Sequence, residues 1–92
     1  MTNYAKLGEY TAFKKQAQDA AERRRTCLAM LERKAEKLKR FQSDSIDRDE
    51  LTQLIDDAVK AEKEMRAAMD VANQAALLCG EDELDLIFLL KV

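Results

Sequence analysis

The chain has no histidine, no proline and no tryptophan, and its 92 residues include only two glycines and two cysteines. Each shortage excludes something. Without histidine it lacks the commonest general base and the commonest metal ligand, and a di-iron bundle, which needs Glu-x-x-His pairs, cannot be assembled. Gly8 and Gly80 stand too far apart for a glycine-rich phosphate loop. No Cys-x-x-Cys occurs to start a zinc site. The longest run of large apolar residues is Leu86-Ile87-Phe88-Leu89-Leu90, far short of the ~20 needed to span a membrane. The N-terminal residues show no basic region followed by an apolar stretch, so no secretory signal is expected. Cytoplasmic localisation follows, in keeping with two cysteines that have no evident partner. No cofactor, no metal, no membrane association and no enzymatic activity are expected.

The same shortages favour helix. Proline, the strongest breaker, is missing, and Ala, Lys, Glu, Arg, Leu, Gln and Met dominate. Apolar and small residues recur at spacings of three and four through Tyr10, Phe13, Ala17, Ala20, Cys27, Leu31, Ala35, Leu38 and Phe41. Arg24 is a charge on that seam, and Lys34 stands where a strict heptad would place an apolar residue. A second stripe runs through Leu51, Leu54, Ala58, Ala61, Met65, Ala68, Ala72, Ala76 and Cys79. Its alanines permit a closely approaching partner helix. The stripes predict an all-α single domain over residues 1–92: helix one about 3–41, a turn at 42–46, helix two about 47–79, and an apolar C-terminal segment, 81–92.

Local chemistry supports these bounds. Asp47 and Glu50 have capping-box spacing, flanked by Ile46 and Leu51 as a hydrophobic staple. The stretch Asp44 to Glu50 superficially resembles a calcium loop, but it lacks the central glycine, and Ile46, Arg48 and Leu51 fall where oxygen ligands would be needed, so capping is preferred. Gly80 suits a left-handed C-terminal cap. A short turn between long helices makes an antiparallel, coiled-coil-like hairpin, with residue i expected opposite about 89 − i. Arg24 then faces Met65, with Glu62 a turn away as its ion partner. Cys27 and Cys79 are separated by roughly 25 Å along the axis, which rules out a disulfide within the chain. After Gly80, Asp82 and Asp85 have N-cap and N3 spacing, predicting a short third helix at about 83–90; a strand remains the competing reading.

Charge divides unevenly. Residues 1–42 carry eleven basic and five acidic side chains, whereas residues 43–92 carry five and thirteen. Either the halves neutralise each other by packing, or helix one presents a basic face, with Arg33, Lys37 and Arg40 placed to follow a phosphate backbone. The chain is not net basic, which makes nucleic acid the less favoured partner.

Four of the five aromatics, Tyr4, Tyr10, Phe13 and Phe88, fall where the antiparallel arrangement brings the start of helix one beside the C-terminal segment. That segment has apolar residues all round, the pattern of an element covered on more than one side. A two-fold dimer of hairpins forming a four-helix bundle is therefore expected. Its interface would draw on Tyr4, Leu7, Tyr10, Phe13, Leu84, Ile87, Phe88 and Leu90. The function this predicts is that of a non-catalytic helical interaction, adaptor or regulatory protein acting as a homo-oligomer; the alternative is a nucleic-acid-associated accessory protein.

Overall fold

In a computed structural model of the protein, which describes residues 3–40 and 46–91, three helices follow one another: α1, Tyr4–Arg40; α2, Arg48–Cys79; and α3, Leu86–Lys91. No strand occurs among the described residues, so the C-terminal segment is helix rather than strand. The expected turn at 42–46 lies outside the described residues except for Ile46. α1 and α2 pack along each other as a rod whose extents are 63 × 19 × 12 Å.

The helix ends are set by local hydrogen bonds. Asn3 Oδ1 accepts from the Lys6 amide at 3.1 Å and starts α1. Asp47, with extended backbone, accepts from the amides of Asp49 and Glu50 at 3.0 and 3.3 Å and starts α2. The reciprocal half of the capping box does not form. Glu50 turns instead to Lys34 on α1, at 2.9 Å, because a cation in the helix interface gains more from a carboxylate than an N-cap amide does. At the other end Gly80 takes φ 79°, ψ 16°, and the amides of Gly80 and Glu81 both donate to the Ala76 carbonyl, at 3.0 and 3.2 Å. Glycine is needed there because a Cβ disfavours the left-handed conformation.

Alanine lets the helices approach. One cluster joins Ala17, Ala20 and Ala21 of α1 to Met65 and Ala68 of α2; another joins Tyr10 to Ala72, Ala75 and Ala76. These contacts correct the expected register by about one helical turn: Met65 packs with Ala20 and Ala21 rather than opposite Arg24, and Tyr10 lies against Ala72 to Ala76 rather than level with Cys79. Large-against-small matching accounts for this register: Met65, the largest side chain that is fully buried, packs over Ala17, Ala20 and Ala21. Arg24 still reaches Glu62, at 3.5 Å. Both seam charges are thus met by acids from the opposite helix. Cys27 and Cys79 are free and half-buried, Cys79 against the Tyr10 cluster and Cys27 beside Arg23, Asp57 and Lys60.

α3 begins later than its acids suggested. The segment 81–85 has no regular secondary structure, and Asp85, not Asp82, caps the helix by accepting from the Ile87 amide at 2.9 Å. Residues 82 and 84 have their backbone groups engaged by side chains of α1 and α2, which removes them from any helix. Leu89 then completes the Met65 cluster, with Leu84, Leu86 and Leu90 packed beside it.

Candidate functional site

Two regions stand out, at opposite ends of the rod. At the end that holds the chain's C-terminal segment, Asn73 on α2 holds the Leu84 peptide from both sides: its Oδ1 accepts from the Leu84 amide at 2.6 Å and its Nδ2 donates to the Leu84 carbonyl at 3.3 Å. Tyr10 Oη donates to the Asp82 carbonyl at 3.0 Å, while Lys14 Nζ lies 5.7 Å from the centre of the Tyr10 ring, within range of a cation–π attraction. Residues 81–85 belong to no helix or strand, so these side chains satisfy backbone groups that would otherwise face an apolar surface.

The residues expected at an interface separate into two sets. Tyr10 is buried, and Phe13, Leu84 and Leu90 are half-buried against the chain's own clusters, as is Leu7 by exposure. Tyr4, Ile87 and Phe88 face solvent at 79%, 62% and 66% exposure. Leu77 and Leu78, which were not singled out from the sequence, add 74% and 59% at the end of α2. One face of α3 therefore completes the core while the other presents Ile87 and Phe88. Glu81, Asp82, Glu83 and Asp85 are exposed around it.

At the turn end the packing thins. No described residue of α1 beyond Ala21 is buried, and on α2 burial there is limited to Leu54, Ala58 and Ala61. Leu38, Ile55 and Val59 are exposed by about half: 49%, 51% and 47%. Two helices can cover only one flank of each other, and α3 does not extend this far. Arg33, Lys37 and Arg40 line one shallow hollow on α1, together with Glu32 and Glu36. Arg40 pairs with Glu36 at 3.7 Å, so that basic set is partly neutralised within its own helix.

Among the described residues no three cysteine or acidic side chains converge on a point that could hold a metal ion, and no helix is long and apolar enough to cross a membrane. Asn73 carried no signal as a functional residue in the sequence, where it stands beside a second amide, Gln74, in an alanine-rich stretch eleven residues before the peptide it binds. Compared with protein families, with curated proteins and with solved structures, the chain matches none.

Proposed function

We propose that the chain is a non-catalytic helical interaction protein that works as a homo-oligomer, most simply a two-fold dimer of hairpins that share a four-helix core. The observation that carries this reading is the exposed apolar surface at the C-terminal end of the rod, where Tyr4, Leu77, Ile87 and Phe88 each remain more than 60% accessible. Burying a large apolar side chain is worth about 1.5–3 kcal/mol, and a small monomer rarely leaves several such groups in water together. The absence of histidine and the shallow, open character of the surface hollows support a binding rather than a catalytic role.

Multi-angle light scattering at micromolar concentration tests the reading. Twice the chain mass is expected; a species that stays monomeric up to millimolar concentration would remove it. Point replacements of Ile87 and Phe88 are preferable to deleting the segment, because Leu89 belongs to the core of its own chain.

A second reading, an accessory protein on nucleic acid, draws on the shared hollow of Arg33, Lys37 and Arg40. A gel-shift assay at low salt separates the two. The homo-oligomer reading expects no shift; a complex that weakens steeply with salt and vanishes when these three are replaced would favour the second.

A further inference from the structure

We draw no further inference here: the strongest candidate, the half-exposed apolar groove beside the Arg24–Glu62 pair, where Leu28, Ala58 and Val59 line an open hollow between α1 and α2, carries nothing because nothing in the structure shows what covers it.

Discussion

Replacing Met65 with alanine should cost about 2–5 kcal/mol of unfolding free energy, the range for truncating a fully buried large side chain. Met65 is at 0% exposure and is the largest side chain buried so completely. Its neighbours Ala17, Ala20, Ala21 and Ala68 are too small to move into the space left behind. A chain of this length is expected to have only about 5–14 kcal/mol of total stability, so the variant should stand close to unfolding at 25 °C. Urea titration followed by circular dichroism measures the loss. Met65→Leu, which nearly conserves volume, should cost less than about 1.5 kcal/mol. Equal losses for the two variants would show that packing around Met65 is not what holds α1, α2 and α3 together.

The Asn73→Ala variant should lose about 1–3 kcal/mol, the cost of leaving buried polar groups unsatisfied, and should lose it locally. The side chain serves both the amide and the carbonyl of Leu84, and no other side chain of α2 is hydrogen-bonded to residues 81–91. Its removal should release residues 81–91 while α1 and α2 stay paired. Hydrogen exchange is the appropriate measurement: the amides of α3 should exchange faster, with those near Ala72 little changed. Asn73→Asp keeps the acceptor for the Leu84 amide but sets a carboxylate near the Leu84 carbonyl, and should fall at least as far. If α3 amides keep their protection in both variants, the apolar contacts of Leu84 and Leu89 alone dock the segment. Because the proposed homo-oligomer draws on Ile87 and Phe88 of a docked α3, Asn73→Ala should also weaken self-association.

Much of the hairpin was readable from short-range patterns. The alternating three- and four-residue spacing located α1 and α2 to within a residue or two at each described end. Asp47 and Gly80 marked the ends of α2 correctly, because capping bonds join residues only a few positions apart. The pairing of Arg24 with Glu62 was also foreseen, since a charge on a seam needs an acid within a turn of its level. Proximity of the C-terminal segment to the aromatic start of α1 followed from the antiparallel path, and the Tyr10 bond to Asp82 realises it.

The failures share a cause. Asp82 has the spacing of a helix cap, and nothing local forbids a helix from residue 83, but the Tyr10 hydroxyl and the Asn73 amide hold residues 82 and 84 outside any helix from positions seventy-two and eleven residues away. Glu50 has the spacing to complete a capping box, and Lys34 on the other helix takes it instead. The register moved by about one turn because Met65 settles against alanines, a matching of sizes between helices that periodicity within either one does not encode. By itself, then, the sequence determined which residues are helical, where α2 begins and ends, and that the chain folds back on itself, because those outcomes depend on backbone propensities and hydrogen bonds spanning a few residues. Tertiary structure alone decided the register, the late start of α3 and which of its faces remains open. Those depend on contacts between residues distant in the chain, where side-chain volume and the need to satisfy each backbone peptide group override local preference.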